Sequence, residues 1–195
     1  MKPLKFILPL AILLMSAVVP TSGKYNLAKD YTVTINGTSN LHNWNEKVEA
    51  AQGSSDIIIN GDGSFDINAV NLVMQVRSIK SDSKIMDNNT YKALKADAHP
   101  EITLALAEPV KSAKVNGGAG TISAKCNLTI AGVTKAIVMQ VKVMMPDKNA
   151  MQFEGSQTVK MTDYGITPPV ALFGALITGD EITIHFKTTF SIAAS

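Results

Sequence analysis

Few side chains in this protein are of a type that does chemistry near neutral pH. The 195 residues include three histidines (His42, His99 and His185) and one cysteine, Cys126. No two histidines stand at metal-ligand spacing, and no cysteine pair supports a zinc site. Cys126 lies in an apolar-parity position with no cation beside it on that face, so it reads as a small buried hydrophobe rather than a nucleophile. Asp62, Asp66, Asp87 and Asp163 fall in turns or caps, where carboxylates are expected anyway. No glycine-rich phosphate loop follows a strand, and no serine sits in a nucleophile elbow. No catalytic set, metal site or cofactor is therefore assigned. The chemistry left to the chain is apolar contact, with one lysine of interest, Lys135.

The apolar contact comes from alternation. In Thr121 to Ile130, the residues Ile122, Ala124, Cys126, Leu128 and Ile130 are apolar and the residues between them are polar. Side chains of a strand point to its two faces in turn, so one face is dry. After Ala131-Gly132 a second run places Ile137, Met139, Val141 and Val143 in the same pattern. A two-residue turn there pairs positions whose numbers sum to 263, setting Cys126 opposite Ile137, Ala124 opposite Met139 and Ile122 opposite Val141. Turn and register agree. Lys135 falls opposite Leu128, and a lysine so close to the turn belongs at a rim with its ammonium reaching out.

The rest of the chain must supply matching faces. Tyr31 to Asn36 reads as a strand, followed by a polar turn through Trp44. Short strands are expected near Val48 to Ala51 and Asp56 to Asn60, broken at Ser54-Ser55. Phe65 to Ile79 is a long strand with Val70, Leu72 and Met74 inward. Asp87 is the expected N-cap of a short helix over Asn88 to Lys95, ended by Pro100. Glu101 to Ala107, Met151 to Lys160 and Glu181 to Ile192 alternate again, the last with Ile182, Ile184 and Phe186 inward. Lys160 to Ile177 does not alternate. It reads as a structured loop whose Val170, Leu172, Phe173 and Leu176 either close a barrel mouth or plug it.

About eight antiparallel strands with no βαβ rhythm predict an all-β domain. A sheet of that width with one apolar face curls into a barrel able to hold one small ligand, with a β-sandwich as the alternative. The interior set is Val70, Leu72, Met74, Ile122, Ala124, Cys126, Leu128, Ile137, Met139, Val141, Ile182, Ile184 and Phe186. The pattern reports a dry face and leaves open whether it is hollow or solid.

Residues 1–23 read as a secretory signal: Lys2 and Lys5, the apolar run Phe6 to Val19, then Pro20 to Gly23 for cleavage. The alternative is an uncleaved anchor, although the run is short for a span. The expected mature domain is 24–195, periplasmic or secreted, with no stable membrane span. Losing Lys2 and Lys5 reduces the 18 basic residues to parity with the 16 acidic ones. A nucleic-acid partner, which wants a basic stripe, is not indicated. With Arg77 the one arginine, bidentate phosphate clamps are scarce. A single cysteine allows no internal disulfide, and the mature length buries a large core without one. Nothing gives a firm dimer signal, and a homodimer stays open.

Several segments, in order, resemble the YceI-like family. They are Gly37 to Trp44, Met86-Asp87 with Tyr91 to Lys95, and His99 to Ile102. Leu128 to Lys135, Lys160 to Ile166, Pro168-Pro169 and Gly179 to Glu181 complete the set. The matches span Tyr31 to Phe190, nearly the whole mature chain. The resemblance implies an extended lipocalin-like antiparallel barrel with a helical insertion near residues 82–96. It also implies periplasmic export and a polyisoprenoid or other amphiphilic lipid held inside. No catalytic residue can be carried over. The segment Ser78 to Lys84 departs from an arginine-rich stretch common in the family, and so does Cys126 from its usual glycine or small residue. Three functions follow: a carrier for an apolar or isoprenoid lipid, with Lys135 meeting a headgroup; a ligand-free structural or stress-related interaction protein with a solid core; and an isoprenoid-modifying enzyme. A buried chain would gain roughly 0.8 kcal/mol per CH₂, so a few isoprene units suffice without polar contacts.

Overall fold

The computed structural model describes residues 21–115, 117–147 and 149–192. Its frame is the hairpin of β9 (Ala119–Ile130) and β10 (Val133–Asp147). Ile130 pairs with Val133, Cys126 with Ile137, Ala124 with Met139 and Ile122 with Val141, as the turn requires. Ala131 and Gly132 both have positive φ, 48° and 81°, the backbone of a type I′ turn. The ring of His99 fills the space beside Gly132 that a Cβ would need.

Thirteen strand segments assemble into eight staves. β1 (Thr21–Leu27) and β2 (Thr32–Ser39) run on in one direction, and both pair with β13 (Leu176–Ile192). β3 (Asn43–Val48) and β4 (Ala51–Ile59) form the next stave, pairing with β2 and β1. β5 (Phe65–Gln75), a 3₁₀ turn and β6 (Ile79–Lys80) form the third, against β4 and β3. β7 (Glu101–Leu106) and β8 (Val110–Ala113) follow against β5. Then come β9, β10, β11 (Ala150–Lys160) and β13, with the short β12 (Val170–Ala171) folded onto β13. The β1–β13 and β2–β13 ladders close the ring, so the molecule is a closed eight-stranded antiparallel barrel and not a sandwich. Every pairing is antiparallel because each stave returns beside the last.

The one α-helix among the described residues, α1 (Lys84–Ala93), lies between β6 and β7. It starts three residues before the expected cap. Ser83 is the N-cap and accepts from the Met86 amide, while Asp87 sits inside the first turn. The Asp87 carboxylate instead accepts from the amide and hydroxyl of Ser81, at 2.8 and 2.7 Å. Both residues are cap formers, and the one able to reach a free N–H three residues on wins. Two other expectations change. β4 runs through Ser54-Ser55, where the buried Ser55 hydroxyl donates to the Ala69 carbonyl and so keeps the strand intact. Thr21 to Leu27 form a strand that composition concealed; the expected leader, residues 1–23, otherwise lies outside the described residues. No helix among the described residues is long and apolar enough to cross a membrane.

Part of the interior is solid core. Tyr25, Ile57, Phe65, Val143 and Met151 are among the most buried side chains and form a solid floor. Phe153 and Phe190 meet edge to face above it, ring centres 5.8 Å apart, the geometry that aromatic quadrupoles favour.

Candidate ligand-binding cavity

Above that floor the barrel is hollow. A lower chamber of about 110 Å³ is walled by β5, β7, β9, β10 and β13, with Leu72, Ala124, Cys126, Met139 and Phe186 in its lining. An upper chamber of about 360 Å³ lies toward α1 and the 161–176 loop. Small-molecule sites commonly span about 300–1,000 Å³, so the upper chamber alone is of ligand size. Val33, Met74 and Ile184 line both chambers and form the waist between them. The thirteen apolar residues expected inside all line one chamber or the other. Lys135 lines neither: it sits in an exposed stretch of β10, opposite Leu128.

Three elements build the upper chamber, and each is tied down. Strand parity turns Trp44, Glu46 and Val48 of β3 inward, with Val33 and Ile35 of β2 beside them. Helix α1 contributes Met86, Asn89, Thr90 and Ala93, spaced to share one helical face. Its other side is anchored by Tyr91, whose hydroxyl accepts from Lys80 Nζ at 2.6 Å and lies within donating distance of the Ile79 carbonyl. The loop contributes Met161, Tyr164 and Ile166. Its 3₁₀ turn Met161–Tyr164 ends at Gly165, φ 66°, and is stapled to β13 by the Asp180 carboxylate, which accepts from the Thr162 amide and hydroxyl. Asn40, at the β2–β3 turn, donates to the Ala175 carbonyl and accepts from the Ile177 amide. His42 and Ile85 line the chamber and are also solvent-exposed, so it reaches the surface at this end.

Of the loop residues expected at the mouth, Leu176 faces the chamber, joined by Ala171. Val170 and Phe173 point to solvent, and the Leu172 side chain is outside the described set. Leu41, Ile85 and Ile177 are likewise exposed on the elements around this end. Sequence parity suggested no such concentration of apolar surface.

Two polar groups stand out in the upper lining. Glu46 is 3% exposed and its Oε1 accepts from the Thr90 hydroxyl at 2.6 Å. Burial pushes its carboxyl pKa up; the Thr90 bond opposes this and the Asp87 charge adds to it. Tyr164 is 2% exposed, and its hydroxyl is the one buried side-chain polar atom among the described residues with no hydrogen-bond partner. Burial, helped by Asp163, raises its pKa also. Neither residue was singled out from sequence for the cavity. Glu46 could have been found by parity, two residues from Trp44 and two from Val48; Tyr164 sits in a stretch with no periodicity to read. In the lower chamber, burial raises the Cys126 thiol, consistent with an inert hydrophobe. No group of three or more metal-ligating side chains occurs among the described residues.

Comparison with known proteins adds a family and a fold. The model of the YceI-like domain matches residues 22–190. A polyisoprenoid binding domain from Saccharophagus degradans, implicated in plant cell wall breakdown, superposes with a TM-score of 0.69 at 15% identity, covering 86% of this chain and 98% of that one. BcnA of Burkholderia cenocepacia gives 0.63 at 15% identity, over 82% and 95%. The YCEI protein of Campylobacter jejuni gives 0.53 at 17% identity over the full length of both. A search of curated protein sequences found no match.

Proposed function

This chain belongs to the YceI-like domain family, and from that premise we propose that it holds the apolar chain of an isoprenoid-type lipid inside its barrel and carries or sequesters that lipid without transforming it. The observation that carries this reading is the pair of joined chambers. An apolar tail fits a space with mostly apolar walls, and burial drives its entry. Met74, Met86 and Met139 line that space, and unbranched thioether side chains adapt to an irregular occupant. The Saccharophagus domain with this fold is described as polyisoprenoid-binding, which supports the same class of ligand here. In this reading the protein is exported and works in the periplasm or outside the cell.

Native mass spectrometry of the protein purified from its own host tests the proposal. An adduct of lipid mass, released by organic solvent and identified as a prenyl chain, is the expected result. A homogeneous unliganded mass, together with failure to bind any added prenyl compound, overturns it. N-terminal sequencing of the same sample tests export: the expected chain starts near residue 24.

A further inference from the structure

The lipid-carrier reading leaves the headgroup unassigned, and the upper chamber constrains it. Resting on that reading, we infer that the upper chamber selects a chain ending in a free hydroxyl, a polyprenol-type alcohol, over one ending in phosphate, with Glu46 and Tyr164 as the partners of that hydroxyl. Three observations converge. The first is Tyr164, a residue of the chamber lining whose buried hydroxyl has no hydrogen-bond partner. A buried donor left unmade is costly, so an occupant that accepts from it gains what the empty protein lacks. The second is Glu46, inward-facing in the same chamber, with Thr90 satisfying one of its oxygens. A carboxyl oxygen there offers acceptance to a donor on the ligand. An alcohol has one O–H to give and lone pairs to receive, so it can meet an acceptor such as Glu46 or a donor such as Tyr164. A phosphate ester has oxygens that only accept, and carries charge.

The third observation is what the lining lacks. Among the described residues no lysine or arginine lines either chamber, and the one cationic candidate is His42, exposed at the surface end. Of the cations around α1, Arg77 pairs with Asp97 and Lys80 with Tyr91 and Asp87, while Lys84 and Lys92 of the helix and Lys47 of β3 are not part of the chamber lining. A phosphate brought beside a buried acidic side chain, with no countercharge, would be desolvated and repelled. Lys135, outside both chambers, adds no countercharge to either lining.

The test uses the full mature chain and four ligands of equal chain length, titrated by competition against a fluorescent prenyl probe. They are geranylgeraniol, its methyl ether, geranylgeranyl phosphate and the parent hydrocarbon. Geranylgeraniol is expected to bind about tenfold tighter than the methyl ether or the phosphate, one hydrogen bond's difference. Tyr164→Phe should lower alcohol affinity about fivefold and leave the hydrocarbon unchanged. Glu46→Gln keeps an acceptor but removes the charge, so it should tighten phosphate binding while nearly sparing the alcohol; a merely structural role for Glu46 would not move that ratio. Melting curves of both variants check folding, and Tyr164→Phe, which deletes an unpaired hydroxyl, should melt no lower than wild type. If all four ligands bind equally, or the phosphate binds tightest, the headgroup inference falls and the carrier reading stands. If none binds, the hydrocarbon included, the carrier reading itself falls and takes the inference with it.

Discussion

The indole of Trp44 occupies the space that any side chain at position 37 would need. Gly37 and Trp44 are cross-strand partners on β2 and β3, and a Cβ built on Gly37 would fall inside contact distance of three indole atoms. The indole N–H is fixed by donating to the Thr38 carbonyl at 3.0 Å, so the ring has little room to yield. Gly37→Ala should therefore cost about 1–3 kcal/mol, the usual range for overpacking. Trp44 is the only tryptophan, so its fluorescence reports the displacement directly, alongside the shift in denaturation midpoint. An unchanged midpoint would mean the indole rearranges freely.

The Glu46 carboxyl predicts a pH dependence. Its folded-state pKa is raised, first by burial. The folded state then keeps the proton to higher pH than the unfolded chain does. The cost of burying the charge is absent below the unfolded value, about 4.3, and grows as pH rises through the folded one. Glu46→Gln should accordingly leave stability near pH 4 unchanged and increase it at pH 7. Urea midpoints measured across that interval check the sign; a variant less stable at pH 7 would contradict it.

The Cys126 thiol should be slow to react. Burial raises its pKa, which lowers the thiolate fraction at any pH below that value, and the thiolate is the nucleophile. Alkylation by iodoacetamide at pH 8 is expected to be at least about tenfold slower than in urea-unfolded protein. Because Cys126 lines the lower chamber, prenyl-loaded protein should react more slowly still. Equal rates with and without ligand would show that the tail does not descend so far.

Chain-length preference should respond to Ala124, which also lines the lower chamber. Ala124→Leu adds three carbons to a space of about 110 Å³, a partial filling rather than a clash with solid core. Affinity for a short ten-carbon chain, held in the upper chamber, should be unchanged. Affinity for a twenty-carbon chain should fall about tenfold, the loss of one or two buried CH₂ groups. A parallel loss for both lengths would argue against two successive chambers.

The lower half of this site was readable in the amino-acid order, and the upper half was not, for a physical reason. Period-two alternation over Ile122 to Ile130 and Ile137 to Val143 reports faces, and the Ala131-Gly132 turn fixes register, so the lower lining follows without coordinates. The upper lining is drawn from a turn, a helix and an aperiodic loop. Glu46 lies on a dry face in a stretch dense with Asn and Thr, which masks the parity. Tyr164 is placed by a 3₁₀ turn and by Asp180 sixteen residues later, contacts that no local pattern encodes. The start of helix α1 was misplaced by four residues because Ser83 and Asp87 are both good caps and only Ser81 decides between them. β1 was missed because Thr21-Ser22-Gly23 has the small-residue composition of a cleavage region.

Val33, Met74 and Ile184 stand where the two chambers meet, and for the proposed carrier that boundary would set an order of events. A supple tail can snake past it one bond rotation at a time, whereas a rigid fused-ring molecule of the same mass stops above it. Loading of the proposed carrier would then run tail first with the polar end arriving last, and unloading would reverse that sequence. Such a barrel would sort its cargo by suppleness as well as by greasiness.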